Sequence, residues 1–197
     1  MAVETELLDR LRAGDEAAFA TVVERYHAPL LRFAMTMVPT RAVAEEVVQD
    51  TWLGVVRGID RFEGRSSLQT WLFRILANRA RTAGGRERRS VPVDLQEETA
   101  VPSQRFNAAG HWTDPPAPWT DAVEDRLLAS ATAGRVRDLI DALPEAQRQV
   151  VVLRDVEGLT ASDACEILGL TDANQRVLLH RGRSRVRSML EQEAGEG

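Results

Sequence analysis

Apolar residues recur along the first 85 residues at intervals of three and four, which is the spacing of one face of an α-helix. The pattern stops at Gly14, Pro39 and Gly58 and resumes each time after a residue that can cap a helix. Four helices are therefore predicted, the last of them ending at Gly84-Gly85. The predicted capping residues are Asp15, Thr40 and Ser67.

Helical spacing resumes at about residue 123 and ends in a helix-turn-helix pattern. Thr160 and Asp163 have the spacing of a capping box for a short helix that reaches Leu168. Gly169 then predicts a tight turn, and Thr171 caps a final long helix. A short helix, a turn and a longer helix are the plan of DNA-binding proteins whose second helix enters the major groove.

Residues 90–122 lack any periodicity and contain five of the eight prolines, which is typical of a linker. Trp112 and Trp119 within it predict that part of the segment docks on another surface. The chain is therefore predicted to be all-α, with two helical domains joined by a Pro-rich acidic linker. The predicted boundaries are 1–89, 90–122 and 123–197.

Charge is distributed in blocks. The chain has 197 residues, a net charge of −5 and 25 basic residues, all of them arginine. Residues 59–89 carry +5 and residues 171–189 carry +4, whereas residues 90–130 between them carry −5. Two basic blocks, each at the end of a helical domain, indicate two separate phosphate-binding surfaces.

Composition excludes several other classes of protein. No apolar run reaches the roughly 20 residues of a membrane helix, and the acidic N-terminus is unlike a secretory signal. One cysteine, Cys165, and three scattered histidines exclude a disulfide framework and make a metal site improbable. We expect a cytoplasmic protein that is not an enzyme, with no metal, cofactor, small-molecule substrate or membrane insertion.

The two basic blocks contain the residues expected to contact DNA. On the last helix, arginine can pair with guanine and asparagine with adenine, while the later arginines meet phosphates. In the first block, a loop with an aromatic residue, glycine and hydroxyls precedes an arginine-bearing helix, an arrangement able to hold an unstacked base. The candidates on the last helix are Thr171, Asn174, Arg176, Val177, His180, Arg181, Arg183 and Arg185. Those in the first block are Phe62, Gly64, Arg65, Ser66, Ser67, Arg74, Asn78, Arg79 and Arg81.

Four segments resemble extracytoplasmic-function (ECF) sigma factors in order and spacing. Residues 44–52 and 61–72 resemble region 2 of that family, and residues 143–160 and 167–183 resemble region 4. The resemblance covers nearly the whole chain except the linker. One departure is Gln175, where the family commonly has valine.

The resemblance implies a bacterial transcription initiation factor that binds core RNA polymerase and directs it to promoters. The loop and helix of the first block would capture the −10 element as a single strand, and Arg176, His180 and Arg181 would read the −35 element as duplex. Gln49, Asp50 and Val56 would contact the clamp helices of the polymerase, and region 4 would dock on its flap. The acidic linker would follow the RNA channel, and an anti-sigma factor is an expected partner.

Two other functions remain open at this point. A stand-alone helix-turn-helix regulator would bind duplex DNA without polymerase and would need a dimer interface for two half-sites. No heptad seam is visible in the sequence, and the net charge of −5 opposes unaided DNA binding. An all-α adaptor with no role on DNA is the third reading, although the +4 block over residues 171–189 opposes it.

Overall fold

The computed structural model describes residues 2–87 and 133–195, and the regular structure within these two ranges is entirely helical. The all-α prediction is confirmed. The predicted linker 90–122, with Trp112 and Trp119, lies outside the described residues. Within the described ranges, no helix combines the length and the apolar character needed to cross a membrane.

The first unit, residues 2–87, contains α1 (Ala2–Arg12), α2 (Glu16–Met35), α3 (Arg41–Gly58), a 3-10 turn (Ile59–Arg61) and α4 (Leu68–Glu87). The predicted caps are confirmed, because Asp15 accepts hydrogen bonds from Ala17 N and Ala18 N at 2.9 and 3.1 Å. Thr40 Oγ1 accepts from Val43 N at 3.3 Å, and Ser67 Oγ from Thr70 N at 3.1 Å. The predicted end at Gly84-Gly85 was wrong, because α4 continues to Glu87.

The core of the first unit lies where α2, α3 and α4 pack together. Phe33 of α2 and Phe73 of α4 are fully buried, with ring centroids 5.5 Å apart. Val48 of α3 is also fully buried. Trp71, which the helical pattern also assigns to the core, is 9% exposed and packs on Phe62. Burying one face of α4 leaves its opposite face available for contacts outside the unit.

The second unit, residues 133–195, contains α5 (Ala133–Asp141), α6 (Glu145–Val151), a π-helical turn (Val152–Val156), α7 (Ala161–Leu168) and α8 (Asp172–Gly195). The predicted capping box is confirmed, since Thr160 and Asp163 exchange side-chain and backbone hydrogen bonds. Gly169 ends α7 with φ of 69°, a left-handed conformation that favours glycine. Helices α7 and α8 form the predicted helix-turn-helix.

The close approach of α8 to α6 depends on Gly182. A Cβ atom at this position would lie 2.6 Å from Cγ2 of the buried Val151. Because valine is stiff at χ1, we expect Gly182→Ala to lower the free energy of unfolding by about 1–3 kcal/mol. Urea unfolding followed by circular dichroism measures this loss.

Gly54 supplies the matched control, because its added Cβ would meet only the flexible end of Arg79, 2.7 Å from Nη2. That guanidinium can move aside, so Gly54→Ala should leave stability unchanged or raise it by about 0.5–1 kcal/mol. Equal losses in the two variants would contradict the explanation.

Candidate nucleic-acid interface

The N-terminal half of α8 presents the predicted base-contacting residues to solvent. Asn174, Arg176 and Val177 are exposed, with the Arg176 side chain 77% accessible. His180 and Arg181, one turn further along, are half-buried. Thr171 Oγ1 accepts a hydrogen bond from Asn174 N at 3.2 Å and so caps the helix. The structure therefore brings these five residues together at the end of α8 that a helix-turn-helix inserts into the major groove.

Ion pairs divide the arginines of α8 into two groups. Arg176 pairs with Asp172 one turn before it, and both side chains are largely exposed, so this contact is weak and easily exchanged. Arg183 instead donates to Asp155 in the π-helical turn, with Nε 3.0 Å from Oδ2, and both side chains are about one-third exposed. Arg183 thus fixes α8 on the π-helical turn that follows α6, whereas Arg185 is half-buried further along α8.

The environment of His180 keeps its imidazole neutral. Burial lowers the pKa of His180, and the positive charge of Arg183 lowers this pKa further. A neutral imidazole has one donor and one acceptor nitrogen, so it can face either kind of group on a base edge. The side chain therefore contributes hydrogen bonding, not charge, at pH 7.

Gln175 occupies a core position on α8 and is 2% exposed. Its Nε2 has no hydrogen-bond partner among the described residues. An unpaired buried amide is costly, so we expect Gln175→Met to raise the free energy of unfolding by about 1 kcal/mol. Urea unfolding tests this, with Gln192→Met on the exposed end of α8 as control, for which about zero change is expected. Equal gains in both variants would contradict the burial argument.

Three of the four predicted residues on α4 share one face. Arg74, Asn78 and Arg81 follow each other at helical spacing, and Arg81 Nη1 donates to Asn78 Oδ1 at 2.9 Å. Arg79 lies apart from them, on the side of α4 that faces α3. Its guanidinium packs over Gly54 and lies 3.9 Å from Asp50. Arg74, Asn78 and Arg81 therefore form one face of α4, the arginine face.

The loop before α4 has a buried and an exposed part. Phe62 is 5% exposed and packs against Trp71, with ring centroids 4.8 Å apart, so its ring belongs to the core. Gly64 has φ of 70°, which turns the chain outward. Arg65 is 84% exposed and pairs with Glu63 at 2.7 Å. Ser66 lies beside it, in a polar cleft of about 430 Å³ between the loop and α4, while Ser67 caps α4.

A third surface lies on the outer side of α3. The predicted residues Gln49, Asp50 and Val56 are all exposed there. Leu53, which the sequence analysis did not single out, is 53% exposed between them, and Val56 is 56% exposed. Leu53 has the helical spacing that places it beside Gln49 and Val56, and this was the available signal. Exposed large apolar side chains on one helix face are typical of a protein-binding surface.

No group of three or more potential metal ligands occurs within residues 2–87 and 133–195. The three surfaces described above offer arginine, amide and apolar contacts. Such contacts suit phosphates, base edges and a protein partner.

Comparisons with known proteins match both units. Residues 22–90 match the family Sigma-70 region 2, and residues 133–186 match Sigma-70, region 4. The ECF RNA polymerase sigma-E factor of Haemophilus influenzae is 30% identical over 188 residues, covering 94% of each chain. The ECF RNA polymerase sigma-E factor of Escherichia coli K12 is 29% identical, covering 91% of this chain and 90% of its own length.

Solved structures give the same result for the fold. CnrH, in complex with the cytosolic domain of CnrY, superposes with a TM-score of 0.58 at 20% identity, covering 96% of this chain and 97% of CnrH. The sigma factor RpoE from Bartonella quintana, in complex with the anti-sigma factor NepR, superposes with a TM-score of 0.57 at 25% identity. That match covers 87% of this chain and 97% of RpoE.

Proposed function

The chain belongs to the ECF family of RNA polymerase sigma factors, and we propose how its three surfaces divide the work of promoter recognition. The observation that carries the proposal is that one chain holds an arginine face beside an exposed loop, a helix-turn-helix and an exposed apolar helix face. Each of these surfaces suits a different target.

Region 2 binds the −10 element as a single strand. The exposed part of the loop, Gly64, Arg65 and Ser66, receives an unstacked base, and Arg74 and Arg81 contact the phosphates of the strand. Single-stranded DNA is held by such combinations of a basic surface and base pockets. Arg79 supports this surface from the α3 side, where it is packed over Gly54.

Region 4 binds the −35 element as duplex. Arg176 and Asn174 point from the start of α8, where a recognition helix contacts base edges, and arginine pairs bidentately with guanine. His180 and Arg181 follow one turn later on the same face. Arg185 is placed further from the helix start and meets phosphates.

The outer face of α3 binds the clamp helices of core RNA polymerase, while region 4 docks on the polymerase flap. The chain supplies recognition, and the polymerase supplies the chemistry. The factor acts in the cytoplasm, where the polymerase is found. An anti-sigma factor is a further partner, since RpoE from Bartonella quintana, which shares this fold, is seen in complex with the anti-sigma factor NepR.

The test is run-off transcription on sheared genomic DNA with bacterial core polymerase, with and without the protein. New discrete transcripts are expected, and their 5′ ends will locate both promoter elements. A protein that co-elutes with polymerase yet gives no new transcript would instead be a polymerase-binding regulator. Tight binding to duplex DNA without polymerase, and no transcripts, would support a stand-alone helix-turn-helix regulator.

A further inference from the structure

The buried apolar residues of the two units form one continuous cluster, and polar side chains around it also join the units. Arg32 of α2 donates from Nε and Nη2 to Oε1 of Glu157, at 3.1 and 2.9 Å, and the Glu157 side chain is only 5% exposed. Gln69 Nε2 of α4 donates to the backbone oxygen of Glu157 at 3.0 Å. Glu157 lies in the turn that precedes α7, so this turn is held against both α2 and α4.

Helix α7 lies along the arginine face of α4. Thr70 Oγ1 donates to Asp163 Oδ1 at 3.0 Å, Arg74 forms an ion pair with Glu166, and Arg81 donates to the backbone oxygen of Ile167. The three α4 residues lie along about three turns of the helix, with Arg74 one turn after Thr70 and Arg81 two turns after Arg74. The last one reaches the C-terminal end of α7, where carbonyl groups carry a partial negative charge.

These contacts overlap the surface assigned to the −10 strand. Arg74 and Arg81 are the two arginines of that face, and both are engaged by α7. Glu166 also lines the polar cleft beside the loop, together with Arg65 and Ser66. A carboxylate on Arg74 and a carbonyl on Arg81 occupy positions where phosphate oxygens of a strand would bind. The strand and α7 therefore cannot both use this face.

We propose that this arrangement is an autoinhibited closed state, in which α7 of region 4 covers the −10 surface of region 2. The proposal rests on the assignment of that surface under Proposed function. Region 4 must leave region 2 before the −10 strand binds. The apparent affinity of the free protein for the strand is then reduced by the fraction of molecules that are open.

The chemistry of the contact suits a reversible switch. The six contacts named above are hydrogen bonds and ion pairs, and the Arg74–Glu166 pair is about 40% exposed, 41% on the arginine and 43% on the glutamate. Such pairs are weakened by salt and are easily exchanged for phosphate. The Glu157 side chain differs because it is buried, so removing its ion pair with Arg32 leaves a buried polar group without that partner.

The test removes the two glutamates without touching the DNA-binding residues. Glu157→Gln/Glu166→Gln abolishes both ion pairs, whereas in an open molecule the same side chains would be solvated and the change would matter little. Glu191→Gln is the control, because it removes a charge from an exposed pair with Arg187 on α8.

The distance between the units is measured by electron–electron resonance between spin labels at Ala28→Cys and Ser188→Cys, both exposed positions, in a Cys165→Ala background. We expect one narrow distance distribution for the otherwise unchanged protein and for Glu191→Gln. The double variant should show a longer, broader distribution. A broad distribution of long distances in the unchanged protein would overturn the closed state. A narrow distribution that persists in the double variant would overturn the role of the two ion pairs in holding it.

Masking is measured separately, as binding of a fluorescent mixed-sequence single-stranded DNA to the free proteins at low salt. The double variant should bind at least about tenfold more tightly than the unchanged protein and Glu191→Gln. Opening without any gain in strand affinity would overturn the masking. Run-off transcription with the unchanged protein distinguishes the two proposals. If the protein directs transcription but the spin-label distance shows no opening in the double variant, only the closed state held by these ion pairs is contradicted. If the double variant opens but the protein directs no transcription, the proposed division of promoter recognition is contradicted.

Discussion

Replacing Leu53 and Val56 together by aspartate is expected to weaken binding to core RNA polymerase by about 100-fold or more. Both side chains are more than half exposed on the outer face of α3, so their replacement leaves the folded core intact. In the complex, each carboxylate would be buried against the polymerase without a partner. An unpaired neutral polar group costs about 1–3 kcal/mol to bury and a carboxylate costs more, so two of them should lower the affinity by at least roughly two factors of ten. The affinity for fluorescently labelled core polymerase is the measurement.

Ala42→Asp is the control for this variant. Ala42 is exposed on the first turn of the same helix, where a negative charge is favourable for the helix dipole. We expect its affinity for polymerase to equal that of the unchanged protein. If Leu53→Asp/Val56→Asp binds as tightly as Ala42→Asp, the polymerase contacts another surface.

The second large effect is expected at the −35 element. Arg176→Ala should reduce binding of the holoenzyme to its promoter by about 1–3 kcal/mol, roughly 5- to 150-fold, and relax the preference at one base pair. The reason is that Arg176 is exposed at the start of α8 and forms a weak pair with Asp172, which a guanine can replace. Affinity is measured with a set of promoters that vary one −35 position at a time.

Arg187→Ala supplies the matched control, since it removes one positive charge from the same helix, where Arg187 pairs with Glu191 at 2.8 Å. It should weaken binding slightly and equally on all sequences, with a smaller salt dependence. The same uniform loss for Arg176→Ala would mean that Arg176 contacts phosphate and does not read a base.

The sequence indicated which residues belong to each surface better than it indicated which of them are exposed there and which are packed beneath it. Gln49, Asp50 and Val56 are exposed as expected, and Asn174, Arg176 and Val177 lie together on α8. The sequence pattern grouped Phe62 and Arg79 with the residues expected to contact DNA in the first basic block. The ring of Phe62 is instead buried on Trp71, and Arg79 packs on α3. Whether Arg79 or Arg81 faces a neighbouring helix depends on the rotation of α4 in the core, which spacing alone leaves undetermined.

Local patterns determined the helices of this protein. Apolar spacing, the caps at Asp15, Thr40 and Thr160, and the left-handed turn at Gly169 act within a few residues, so they can be identified along the chain. Only the tertiary structure decided that Glu157 and Glu166 reach Arg32 and Arg74 across the two units. These partners are separated by 125 and 92 positions in the chain. Such contacts depend on how two folded surfaces pack together, and the spacing of residues along the chain does not determine that packing.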